Sequence, residues 1–105
     1  MNHIKISVAG ADGRMGSTII REAFKKGTIE VVGAITAENS LNKGKKLGDL
    51  NLEPRELFIV GPNNLKKAVD PADIYVTFTT PMAELNNIPK VVELNKKVVM
   101  GTTGF

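Results

Sequence analysis

Cysteine and tryptophan are both absent from the 105 residues. Without cysteine the chain can form no disulfide, thiolate nucleophile or cysteine-based zinc site. Aromatics are scarce, four phenylalanines and one tyrosine, too few to interleave with basic residues as base-stacking surfaces do. No apolar run approaches the roughly 20 residues that span a bilayer. The first residues, Met1-Asn2-His3-Ile4-Lys5, lack the charged-then-apolar order of a secretory signal. Charge of either sign is also modest. A net +3 comes partly from Lys43, Lys45 and Lys46 and from the pairs Lys25-Lys26, Lys66-Lys67 and Lys96-Lys97. Each pair sits near the end of an expected helix, where cations complement the macrodipole. These absences argue against nucleic-acid and membrane partners and lead us to expect a cytoplasmic protein. What remains, 42% hydrophobic and 24% charged residues, is an ordinary globular balance for one small domain.

The apolar pattern alternates between two kinds of segment. Ile4–Ala9 (IKISVA) is short, apolar and ends in glycine, which reads as a buried strand. Between Arg14 and Lys26, apolar residues at Met15, Ile19, Ile20, Ala23 and Phe24 share one helical face, and Gly27 supplies a C-terminal stop. Ile29–Ile35 (IEVVGAI) is a second strand. Residues 36–54 are polar and without period, so a long loop is expected there, with room for a helical turn. Leu57–Val60 reads as a third strand. A short helix, capped by Asn63 or Asn64, is expected to run to Val69, where Asp70-Pro71 ends it. Ile74–Thr79 is a fourth strand, and Pro81 opens a helical segment to about Lys97 that Pro89 is expected to divide. Val98–Met100 is a fifth strand. Strands alternating with helices imply an α/β fold, a doubly wound parallel sheet of the Rossmann type with about five strands and helices on both faces. In such sheets ligands bind at the carboxyl ends of the strands. The chain stops one loop after its fifth strand, so a second domain is expected beyond it.

Gly10-Ala11-Asp12-Gly13-Arg14-Met15-Gly16 lies between the first strand and the first helix. A backbone without Cβ can approach a pyrophosphate closely, and the free N–H groups of a helix's first turn bind anions. The spacing is one residue longer in its first gap than the usual dinucleotide fingerprint. No Gly-Lys-Ser/Thr follows, which excludes a Walker-type phosphate loop. Arg14 either reaches phosphates or is a solvated first-turn residue. Asp12, awkward beside phosphates, is expected to point to solvent or to cap the helix. Glu38 lies 22 residues after Gly16, near where an acid would bind adenosine ribose hydroxyls. Lys43, Lys45 and Lys46 follow in the same loop and either receive a 2′-phosphate or are simply solvated.

Two further segments, Val76-Thr77-Phe78-Thr79-Thr80-Pro81 and Val99-Met100-Gly101-Thr102-Thr103-Gly104-Phe105, occur with the glycine loop in order and at consistent spacing. Together the three resemble the N-terminal domain of the 4-hydroxy-tetrahydrodipicolinate reductase (dihydrodipicolinate reductase) family of lysine and diaminopimelate biosynthesis. The resemblance implies a reductase that uses NADPH or NADH to deliver hydride to a cyclic imine-type intermediate, giving tetrahydrodipicolinate. It implies that Gly10, Ala11, Asp12, Gly13, Arg14 and Met15 line the dinucleotide. Phe78 and Thr79 would stand beside the nicotinamide, and Gly101, Thr102 and Thr103 would contact that ring and its ribose. Thr77 departs from the family, which usually carries Asp there, and Ala37 competes with Glu38 for the ribose-binding position. The single histidine, His3, precedes the first strand and reads as a surface residue. No catalytic residue and no metal site is therefore assigned. The catalytic groups and the contacts of the family's homotetramer are expected in a substrate domain that follows residue 105. Two other readings stay open on the residues alone: the cofactor domain of a homoserine or semialdehyde dehydrogenase, and a non-catalytic nucleotide- or CoA-binding module.

Overall fold

A computed structural model describes residues 3–101. Five strands form one sheet: β1 (Ile4–Ala9), β2 (Ile29–Ile35), β3 (Ile59–Val60), β4 (Ile74–Thr77) and β5 (Lys97–Met100). Their order is β3-β2-β1-β4-β5 and every pairing is parallel. Parallel strands need crossovers: α1 (Arg14–Lys26) joins β1 to β2, the loop of residues 36–58 joins β2 to β3, α2 (Leu65–Val69) joins β3 to β4, and α3 (Pro81–Glu93) joins β4 to β5. The chain reverses its direction of travel across the sheet between β1 and β4, so a crevice opens at their carboxyl ends.

The alternation of β1 builds the two faces. Ile6 and Val8 point toward α1 and pack with its Ile20 and Ala23. Ala9 packs on the other face with Leu65 and Val69 of α2 and Val91 of α3. Ser7, fully buried on that second face, donates to the Ala68 carbonyl at 2.7 Å, so a polar side chain inside the sheet is satisfied by the helix it touches. The helices therefore cover both faces, as the sequence predicts.

Four expectations are corrected in their bounds. β3 is only two residues long, because Phe58 is exposed and instead bridges antiparallel to Lys46. β4 stops at Thr77, two residues early, as Phe78 and Thr79 turn into the loop above the sheet. The helix that Asn63 or Asn64 was expected to cap starts as a 3₁₀ turn at Pro62–Asn64, and Asn64 makes no side-chain cap bond. Pro89 does not divide α3, which runs unbroken and ends at Glu93. Leu85, whose carbonyl Pro89 cannot serve, lies on the exposed side of the helix, where water can serve it. The long loop holds a 3₁₀ turn at Leu47–Leu50 and buries Leu47 and Leu52 against the sheet. Among the described residues no helix is long and apolar enough to cross a membrane.

Candidate functional site

The glycine loop sits on the carboxyl end of β1, held by two hydrogen bonds from the Gly10 and Ala11 amides to the Ile35 carbonyl at the end of β2. Gly16 is what lets α1 start here. A Cβ at Gly16 would lie 2.0 Å from the Gly10 carbonyl oxygen, far inside contact distance, so only glycine allows the helix to close on the loop. Gly13 is different. Its φ of −83° and ψ of 172° suit any residue, and a Cβ there would meet only the Gly10 oxygen, at 3.3 Å. A side chain at Gly13 would need the Gly10 carbonyl to give by only a few tenths of an ångström; what its absence keeps open is the space in front of α1. Gly13 is also the N-cap and, among the described residues, no side chain caps the helix. The first-turn N–H groups are thus available to an anion.

A cleft of about 330 Å³ opens beside this terminus. Its walls are Gly10, Asp12 and Gly13 on one side, the end of β2 with Thr36 and Ala37 on another, and Phe78, Thr79 and Asn87 opposite. The Phe78 amide bonds to the Ala9 carbonyl, and the Gly101 amide bonds to the Thr77 carbonyl at 2.8 Å. A Cβ at Gly101 would fall 2.1 Å from the Phe78 ring, so these two residues, far apart in sequence, are packed face to face.

The expected site residues fall into three groups. Gly10, Asp12, Gly13, Phe78 and Thr79 line the cleft, with Ala11 buried beneath it and Gly101 against Phe78. Arg14 and Met15 open α1 on its exposed side and are not among the cleft walls. Glu38 lies at the tip of the sheet beside Gly61, paired with Lys43 in a second depression of about 310 Å³. Lys46 pairs instead with Glu56 and lies 5.4 Å over the Phe58 ring. Thr102 and Thr103 lie outside the described residues. His3 is exposed ahead of β1, and among the described residues no cluster of metal-ligating side chains occurs.

Asp12 corrects an expectation. It neither caps α1 nor faces solvent freely. Its two carboxylate oxygens accept from Thr36 Oγ1 at 2.7 Å, Ser40 Oγ at 2.7 Å and Asn42 Nδ2 at 3.1 Å. The acid in the glycine loop is a tie to the loop after β2. Burial pushes its carboxyl up, but the hydrogen bonds from Thr36, Asn42 and Ser40 outweigh it and hold the group below its ordinary range.

A second acid gave no signal in the sequence. Glu84, in the first turn of α3, is buried, and its Oε1 accepts from Thr79 Oγ1 at 2.7 Å, Thr77 Oγ1 at 3.0 Å and Tyr75 Oη at 3.2 Å. A glutamate at that position normally reads as a partner for the helix dipole. Only the fold shows that β4 and α3 converge on it. Burial first, then the neighbouring Glu84 charge, pushes the Tyr75 phenol well up, so it stays a donor.

Comparison with known proteins gives a consistent picture. The family described as "Dihydrodipicolinate reductase, N-terminus" matches residues 4–105. The 4-hydroxy-tetrahydrodipicolinate reductase of Methanobrevibacter smithii is 40% identical over 106 residues, covering 97% of this chain and 38% of the relative. That of Methanopyrus kandleri is 35% identical over 103 residues, with the same coverage of 97% and 38%. The chain thus spans less than half the length of these curated relatives. Among solved structures, a Rex-family repressor superposes with a TM-score of 0.72 at 13% identity, over 98% of this chain and 54% of the other. Aspartate semialdehyde dehydrogenase II of Vibrio cholerae gives 0.70 at 13% identity, over 97% and 31%. At such identities the structural likeness establishes the Rossmann-type fold and nothing finer.

Proposed function

The chain belongs to the dihydrodipicolinate reductase family, whose N-terminal region it matches over residues 4–105, and from that premise we propose that it is the nicotinamide-dinucleotide-binding domain of such a reductase. The supporting observation is Gly13: ordinary backbone angles, no side chain, and an uncapped helix N-terminus opening on a cleft at the sheet's switch point. That cradle fits a pyrophosphate.

In this reading Gly10, Ala11, Asp12 and Gly13 hold the pyrophosphate side, with Arg14 and Met15 flanking it from α1. Asp12 acts through Thr36 and Ser40, fixing the loop that carries Glu38 and Lys43 toward the adenosine ribose. Phe78, Thr79 and Gly101, with Thr102 and Thr103, receive the nicotinamide end. The reduced cofactor, NADPH or NADH, supplies a hydride. The substrate of the whole protein is the cyclic dihydrodipicolinate-type intermediate, reduced to tetrahydrodipicolinate in lysine and diaminopimelate biosynthesis. Its catalytic groups, and the contacts of a cytoplasmic homotetramer, belong to the portion of the relatives' length that this chain does not span. The domain binds cofactor and brings the donor; acceptor and proton source come from that other portion.

Calorimetric titration of the chain with NADH and NADPH tests the reading. Saturable binding of at least one, without turnover, is expected. No binding of either at millimolar concentration overturns it.

A further inference from the structure

Glu84 converges more donors on one oxygen than any other side chain of the described residues. Three hydroxyls, of Tyr75, Thr77 and Thr79, reach Oε1, and Asn87 Nδ2 lies 3.5 Å away. Its other oxygen, Oε2, is buried and has no partner among the described residues. No cation pairs with the group there either. An oxygen surrounded by donors can act only as an acceptor, and this fixes where the surrounding hydroxyl protons point.

Thr79 is the member that reaches the cleft. Its hydroxyl has one proton and two inward partners, Glu84 Oε1 at 2.7 Å and Thr77 Oγ1 at 3.1 Å. The Thr77 hydroxyl gives its own proton to Glu84 Oε1 at 3.0 Å, which is what leaves it an acceptor toward Thr79. By either route it is the acid that directs the Thr79 proton into the protein. A hydroxyl committed in this way keeps only lone pairs for a ligand. A ligand group that donates N–H is matched; one that offers only acceptors faces an acceptor, with a buried acid behind it, and leaves polar groups unpaired.

We propose that Glu84 is a positioning residue that sets the Thr79 hydroxyl as a hydrogen-bond acceptor, and so selects a carboxamide over a carboxylate on the ring of the bound dinucleotide. The proposal rests on the dinucleotide reading above and adds to it the chemical group that this wall discriminates. Glu84 itself is not one of the cleft walls; it acts through Thr79.

The test compares two ligands that differ only at this group, NAD⁺ and nicotinic acid adenine dinucleotide, titrated calorimetrically into the chain and its variants. The wild-type chain is expected to favour the amide by about tenfold or more, the value of one buried bond made or lost. Glu84→Met removes the acceptor while keeping the length of the side chain, and should bring the two affinities within about threefold. Glu84→Gln keeps an acceptor oxygen and should retain the preference, whereas a purely packing role would let Glu84→Met retain it as well. Thr79→Val should erase the preference and Thr79→Ser should keep it. That pair decides the matter if Glu84→Met does not fold, as judged by its melting. A preference unchanged in Glu84→Met or Thr79→Val overturns the proposal, as does its loss in Glu84→Gln. Binding of neither ligand by the wild-type chain overturns the dinucleotide reading as well, whereas strong but indiscriminate binding overturns this inference alone.

Discussion

Asp12 Oδ1 and the Thr36 hydroxyl lie 2.7 Å apart, and this bond joins the turn after β1 to the turn after β2. The two loops that a dinucleotide would bridge are therefore linked to each other by the protein's own side chains. Ser40 and Asn42 extend the same tie, so the loop after β2 is ordered by an acid 24 or more residues earlier in the chain. Such pre-ordering lowers the entropic cost of binding.

Removing this acid should cost stability in a pH-dependent way. The Asp12 carboxyl titrates below its ordinary range in the folded chain, so its contribution is present above the unfolded value and disappears as pH falls through the folded one. Asp12→Asn is expected to lower stability by about 1 kcal/mol at neutral pH. Below about pH 4 the difference from wild type should shrink. Urea melts of both proteins between neutral and acid pH check this; a difference independent of pH would contradict the assignment.

Gly16→Ala should be severe. The added Cβ would fall 2.0 Å from the Gly10 carbonyl, forcing α1 away from the loop, and a loss of about 3 kcal/mol is expected. In a domain of this size that lowers the midpoint by more than ~10 °C. Gly27→Ala is the control: its φ is +73° but nothing lies within 4 Å, so it should cost only about 1 kcal/mol. Differential scanning calorimetry separates the two.

Gly13→Val should split stability from binding. The backbone accepts the residue and only the Gly10 oxygen comes close, at 3.3 Å. A change in stability under about 1 kcal/mol is expected. The branched side chain would stand where the pyrophosphate approaches, so affinity for NADH and NADPH should fall by about tenfold or more. Equal affinity in the variant, measured by calorimetry, would remove the cradle from this loop.

Lys43→Ala tests the adenosine end. The lysine is exposed and its pair with Glu38 is a surface ion pair, so stability should change by less than about 0.5 kcal/mol. If Lys43 turns to a 2′-phosphate, affinity for NADPH should fall several-fold while that for NADH holds or rises slightly as Glu38 is released. A matched loss for both would place Lys43 outside the specificity contacts.

Much of the fold was legible in the sequence because its signals are local. Ile4–Ala9 and Ile29–Ile35 are apolar runs bounded by glycine or polar turns, and Arg14–Lys26 has one apolar face with Gly27 behind it. The errors fell where neighbours decide. Phe58 belongs to an apolar run, yet lies on the surface under Lys46. Pro89 carries a helix-breaking signal that the exposed side of α3 absorbs. The glycine loop stood out for the same local reason, since close backbone approach demands glycine wherever it occurs, whereas Phe78-Thr79 was singled out only by the family resemblance. Glu84 and Asp12 were not. Each takes its role from partners brought together by the sheet, and nothing at positions 12 or 84 alone distinguishes a buried acceptor from a solvated acid.

The strand order also has a consequence in time. β1 lies at the centre of the sheet, and its neighbour on one side is β4, where Ile6 pairs with Ile74. A chain forming this sheet can complete β1, α1 and β2 from residues close together, but the other edge of β1 stays bare until residues nearly seventy positions later arrive. Closing that span carries the largest loop-closure entropy of any pairing in the sheet, so the crevice between β1 and β4, where the cleft lies, rests on the least local contact of the fold.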